Sequence, residues 1–195
     1  MPEQQEILKQ KISAKLGEQV VLTEPLAWKD FGLCIEVQKE KAHQVFKTLK
    51  EDGDFAFDML IDVTCVDWLE EREERFEVVY QLLSLEHQSR LCVKIRVHED
   101  KPEVDSVVDL WKSANFMERE AWDMYGVSFA EHGDLRRILM YDEFEGHPLR
   151  KDYPILKKQP RIELRVPELH NTSKDMKREQ LVSLPVRQHK KASAN

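Results

Sequence analysis

The sequence predicts an α+β fold: an antiparallel sheet with helices on one face, followed by a long extended proline-rich C-terminal arm. Three observations carry this. Apolar residues recur at helical spacing in the first and third segments, and they alternate at strand spacing in the second and in the run ending at Val97. Three strand-like runs follow one another with connections too short for a crossover helix. Five of the eight prolines fall in the last 50 of the 195 residues, a density that blocks long helices and central strands.

The elements follow in order. Ile7, Leu8, Ile12 and Leu16 give a short amphipathic helix over 4–16, ended by Gly17. Phe31, Leu33, Ile35 and Val37 alternate with polar or small residues, the pattern of a half-buried strand. Ala42, Val45, Phe46 and Leu49 mark a second helix that stops at the turn Asp52-Gly53-Asp54. Phe57 to Trp68, Phe76 to Leu85 and Leu91 to Val97 read as antiparallel neighbours. Pro102 opens a loop, and Val107–Trp111 and Met117–Tyr125 read as helices on one side of the sheet. The expected organisation is an α+β domain over 1–126, an extended segment over 127–156 and a basic arm over 157–195 ordered by partners.

The formal net charge is −7, with 41 % apolar residues, enough for a real core. Residues 157–195 hold 10 basic and 4 acidic side chains against 20 and 33 before them. That tail has no Phe, Tyr or Trp on which bases could stack, so nucleic acid is not an expected partner. Its apolar side chains, at about 2 kcal/mol each when buried, offset too little of the roughly 1–2 kcal/mol per residue that ordering costs. The arm is therefore expected to order only against another chain, with Ile162, Leu164 and Val166 as a strand added to a partner's sheet edge. No stretch is apolar enough for a membrane span, and the N-terminus lacks the apolar core of a secretory signal. Cys34, Cys65 and Cys92 are far apart and lie in apolar runs, as reduced core thiols of a cytosolic protein do. Phosphate loops, C-x-x-C and H-E-x-x-H spacings and the nucleophile elbow do not occur.

Residues 118–154 stand apart, with arginines, acids, histidines and prolines interleaved. Glu120 and Asp123 share a helix face, Arg119 and Asp123 are spaced to pair, and Gly126 is placed as a C-cap. Three readings of the residue types stay open. The acids with His132 and His147 form a divalent-metal site for hydrolysis. Alternatively, arginines, acids and prolines form a rigid lattice for docking to other chains. The third is a solvated helix and an ordinary loop.

The order Glu118-Arg119-Glu120, Asp123-Met124-Tyr125, His132 and Leu135-Arg136-Arg137-Ile138-Leu139, then Glu145-Gly146-His147-Pro148-Leu149-Arg150-Lys151-Asp152-Tyr153-Pro154, resembles the signature of the C-type subunit of bacterial proton-pumping NADH:quinone oxidoreductase, complex I. One departure is Gly133, where that family usually has proline. The resemblance implies a structural, non-redox component of the peripheral arm, on the cytoplasmic side of the inner membrane. It implies no catalytic centre, metal or cofactor in this chain; flavin, iron–sulfur clusters and quinone belong to partner subunits. The implied partners are other peripheral-arm subunits, chiefly the D-type one that forms the quinone site and the B-type one that holds the terminal cluster, with contact to the membrane only through the complex. On that basis Glu118, Arg119, Glu120, Asp123, Tyr125, Gly126, His132, Arg136, Arg137, Gly146, His147, Pro148, Leu149, Arg150, Lys151, Asp152 and Tyr153 are the expected interface residues. Their charges are expected to pair partly inside the chain and partly across the interface. The alternatives are the equivalent component of a related membrane-bound hydrogenase or formate-linked complex, and a free-standing metal-dependent hydrolase.

Overall fold

The computed structural model describes residues 2–23 and 32–160. Helix α1 spans Pro2–Lys15 and is followed by a 3-10 turn at Gly17–Gln19. Strands β1 (Val20–Thr23) and β2 (Leu33–Val37) precede helix α2 (Lys39–Glu51). Three nine-residue strands follow: β3 (Met59–Asp67), β4 (Phe76–Ser84) and β5 (Ser89–Val97). Strand β6 (Glu103–Asp105), helix α3 (Ala114–Tyr125) and strand β7 (Ser128–Ala130) complete the described elements.

The main sheet has five strands in the order β1-β2-β5-β4-β3. The β3–β4 and β4–β5 pairs are antiparallel, as their short connections require. The sheet as a whole is mixed, because β2 lies parallel to β5. The chain leaves β2 through α2, builds the β3–β4 hairpin, and returns beside β2 in the same direction.

One face of this sheet carries the helices. Leu8 and Ile12 of α1, Val45, Phe46 and Leu49 of α2, and Ala114 and Ala121 of α3 join Ile35, Val78, Tyr80, Val93 and Ile95 in a single core. Tyr80 sits at its centre, its ring 4.6 Å from Phe46. The expected helices on one face are thus what the core contains.

Besides the parallel β2–β5 pairing, three features differ from the sequence expectation. Strand β1 pairs with β2 where none was expected. Strands β6 and β7, three residues each, form a small parallel sheet around α3. Residues 107–111 are a single turn and not a helix: the N–H of Trp111 bonds the Val107 carbonyl at 2.8 Å, and the Val107 N–H is taken by the Glu118 carboxylate. Val107, Leu110 and Trp111 have helical spacing, but one turn places all three in the core and the Trp111 indole on the Phe57 carbonyl at 3.1 Å. The proposed strand at 162–166 lies outside the described residues.

Candidate functional site: a capped helix end

Helix α3 is the organiser of the signature. Its C-terminus leaves carbonyls that a helix cannot satisfy by itself. Gly126 adopts φ 76° and returns its N–H to the Trp122 carbonyl at 2.8 Å, as a left-handed C-cap does. The next three carbonyls are met by the G-H-P-L-R segment. His147 Nδ1 donates to the Asp123 carbonyl (3.0 Å), the Leu149 N–H to Met124 (3.1 Å), and Arg150 Nε to Tyr125 (2.5 Å). A guanidinium at this end also complements the helix dipole. The approach is close: a Cβ on Gly126 would stand 2.5 Å from Arg150 Nη2 and 2.6 Å from His147 Nε2.

Asp123 binds the L-R-R-I-L run. Its side chain is fully buried, and Oδ2 accepts from the N–H groups of Ile138, Leu139 and Met140 at 2.9–3.0 Å. Arg137 Nη1 donates to Oδ1 at 2.5 Å, while Nη2 donates to the carbonyls of Phe144 and Gly146. Burial alone would push the Asp123 carboxyl up, yet the Met140 N–H, Arg137 and the neighbouring amides hold it below the usual range. Arg119 reaches the same run, donating to the carbonyls of Arg136 and Arg137.

Glu118 faces the other way. It is fully buried and accepts from Ser106 Oγ (2.7 Å) and the Val107 N–H (2.8 Å), with His132 Nε2 4.0 Å away. Burial pushes its carboxyl up to about 7.

A second knot joins the end of the signature to the β3–β4 hairpin. Arg75 forks onto both oxygens of Asp67 at 2.9 Å and also pairs with Glu99 and with Asp152 (2.8 Å). The Lys151 N–H adds a 2.8 Å bond to Asp67, and Lys151 Nζ pairs with Glu71. Burial would raise the Asp67 carboxyl, but Arg75 and the Lys151 amide hold it low. Arg75 and Arg150 both lie over the Phe76 ring. Tyr153 stacks on Phe144 and its hydroxyl meets Gln159.

The structure therefore draws most of the seventeen expected residues together, and the ion pairs they form among the described residues are internal. Glu120, Arg136, Gly146, Leu149, Lys151 and Asp152 are the exposed ones. Arg136 pairs with Asp134 at the surface, and Pro148 is half-buried between His147 and Leu149. Asp67 and Arg75 were missed by sequence reasoning; their signal was a charge at each end of a turn between two apolar strands. Among the described residues no three His, Cys, Asp or Glu side chains converge as metal ligands, and the Asp123 oxygens are spent on four donors. No described helix is long and apolar enough to cross a membrane.

Residues 35–159 match the family described as respiratory-chain NADH dehydrogenase, 30 Kd subunit. The C-type subunit of the NADH-quinone oxidoreductase of Rhodospirillum rubrum is 47 % identical over 145 residues, 74 % of this chain and 66 % of that protein. The chain thus spans just under two-thirds of that relative's length. Among solved structures, the trypsin-resistant fragment (1-134) of Nqo5 is similar at TM-score 0.57 and 31 % identity, covering 66 % of this chain and 99 % of the fragment. A polypeptide of the membrane-bound sulfane sulfur reductase, an archaeal respiratory membrane complex, is similar at TM-score 0.65 and 26 % identity, covering 79 % of this chain and 87 % of its own length.

Proposed function

Since the chain belongs to the respiratory-chain NADH dehydrogenase 30 Kd subunit family, we propose that it is a structural, non-redox member of the peripheral arm of an NADH:quinone oxidoreductase. The complex oxidises NADH, carries electrons through flavin and iron–sulfur clusters in other subunits, and reduces quinone with proton translocation. This chain's part is positional. It holds the quinone-site and terminal-cluster subunits in place on the cytoplasmic side of the inner membrane, peripherally. Electron transfer and quinone access depend on placement at the ångström scale, so a component that fixes its neighbours is required without reacting.

The observation that supports this reading best is how the buried charges of the signature and of the β3–β4 hairpin are used. Asp123, Arg137, Arg119, Asp67 and Arg75 bond to main-chain groups and to each other, which is how residues build a fixed shape. The exposed members, Glu120, Arg136, Leu149 and Lys151, with Leu139 beside them at 56 % exposure, are the groups we assign to partners. Affinity purification of the native assembly tests it. Recovery of flavin- and iron–sulfur-bearing NADH dehydrogenase subunits, the quinone-site and terminal-cluster ones among them, is expected; recovery of the chain alone contradicts it.

The likeness to the sulfane sulfur reductase polypeptide supports a second reading, the equivalent component of a related membrane-bound respiratory complex. The same purification would then yield counterparts of the quinone-site and terminal-cluster subunits without the NADH-oxidising flavoprotein.

A further inference from the structure

Two of the three cysteines stand apart from the main core. Cys34 on β2 and Cys92 on β5 are direct partners in the parallel register, so both side chains leave the same face of the sheet. It is the face opposite the helices, where Cys34, Cys92 and Val79 form a small cluster of their own with Val66 packed against it. Cys65 lies in the main core beneath the helices. Adjacent strands run about 4.8 Å apart, inside the Cα separation of about 4.4–6.8 Å that a disulfide needs. We propose that Cys34 and Cys92 are a latent dithiol that hydrogen peroxide closes to an intrachain disulfide, tying β2 to β5.

The surroundings divide the labour between the two sulfurs. The neighbouring Cys92 thiol and the charge of Lys94 on the same face lower the Cys34 thiol against the effect of burial, while the same pairing and burial raise Cys92. Burial pushes Cys65 up to about 12. The Cys34 thiolate attacks one peroxide oxygen; the O–O bond breaks, leaving a sulfenic acid on Cys34 and a hydroxide that takes up a proton as water. Cys92 then gives up its proton and attacks the Cys34 sulfur; the S–O bond breaks and the second oxygen leaves as water. Two thiols lose two electrons to one peroxide, and the products are one disulfide and two waters. Both cysteines are nearly buried, at 3 % and 4 % exposure, so the oxidant must be as small as hydrogen peroxide. The bond closes the one parallel junction of the main sheet, by which β1 and β2 are attached to the other three strands.

The test is peptide mapping of the full chain, reduced, exposed to hydrogen peroxide, then alkylated in denaturant. The expected result is a linked Cys34–Cys92 peptide pair that a dithiol reductant separates, with Cys65 recovered as the free thiol. C65S keeps the linkage, and C34S and C92S lose it. Recovery of Cys34 and Cys92 as free thiols or as separate sulfinic acids would overturn the proposal. So would consumption of Cys65 at the same rate, or linkage between two molecules. The wild-type map decides the matter even if a variant folds poorly.

Discussion

Asp123 and Glu118 are buried carboxylates on one helix with opposite consequences. Asp123 is held ionised by four donors, so Asp123→Asn strands Arg137 and weakens three amide bonds at once. Breaking such a buried pair costs about 3–5 kcal/mol, and chemical denaturation of the full chain should show a loss of that order. Glu118 has a folded pKa raised from 4.5 to about 7 by burial. The folded state therefore binds the proton more tightly than the unfolded chain, and its contribution is fully present below about pH 4.5 and declines as pH rises to 7. Asp67, Asp123 and Asp152 work in the other direction. Their depressed values add stability above the usual carboxylate range, and it is lost as pH falls through their folded values. Glu118→Gln keeps the shape and removes the titration, so the decline in thermal stability between pH 5 and 7.5 (roughly the interval set by that shift) should flatten in the variant. An unchanged slope would show that Glu118 does not titrate in that window.

The end of α3 is where the signature's separate pieces become one element. Gly126 must hold φ 76° with Arg150 and His147 filling the space a Cβ would take. Gly126→Ala adds backbone strain of about 1–3 kcal/mol and displaces the two caps, and a lower melting temperature should report it. Gly133 has nothing within 4 Å of a would-be Cβ and no positive φ. Gly133→Ala should be neutral or stabilising by up to about 1 kcal/mol through the unfolded chain; a loss equal to that of Gly126→Ala would contradict the cap. These differences also explain what was legible in the sequence. The α1, α2 and α3 helices and strand β5 declare themselves by periodicity, which needs several repeats to register, and β3 and β4 by apolar runs bounded by turns. Strands β1, β6 and β7 have three or four residues, too few for a period. The 107–111 segment has helical spacing for a single turn and no more. The parallel β2–β5 pairing joins residues far apart in the chain, and local pattern carries no trace of it. At the site, the residue identities were legible but their roles were not, because the acceptors of Arg119, Arg137, His147 and Arg150 are largely main-chain carbonyls that leave no mark on sequence.

At the scale of the molecule, the two knots make residues 131–153 part of the same body as the sheet. One knot joins them to α3 and the other to the β3–β4 hairpin. These buried charges thus set a shape, and in the proposed reading the exposed residues on it meet neighbours. The most direct measurement of a positional role uses Leu149, 53 % exposed at the surface of the cap with its amide still bonded to Met124. Leu149→Asp should leave the melting temperature of the free chain unchanged and reduce the amount of assembled NADH:quinone oxidoreductase. Each assembled complex should keep wild-type turnover with NADH and quinone. Full assembly with slowed turnover per complex would contradict the account, for it would place this chain in the chemistry.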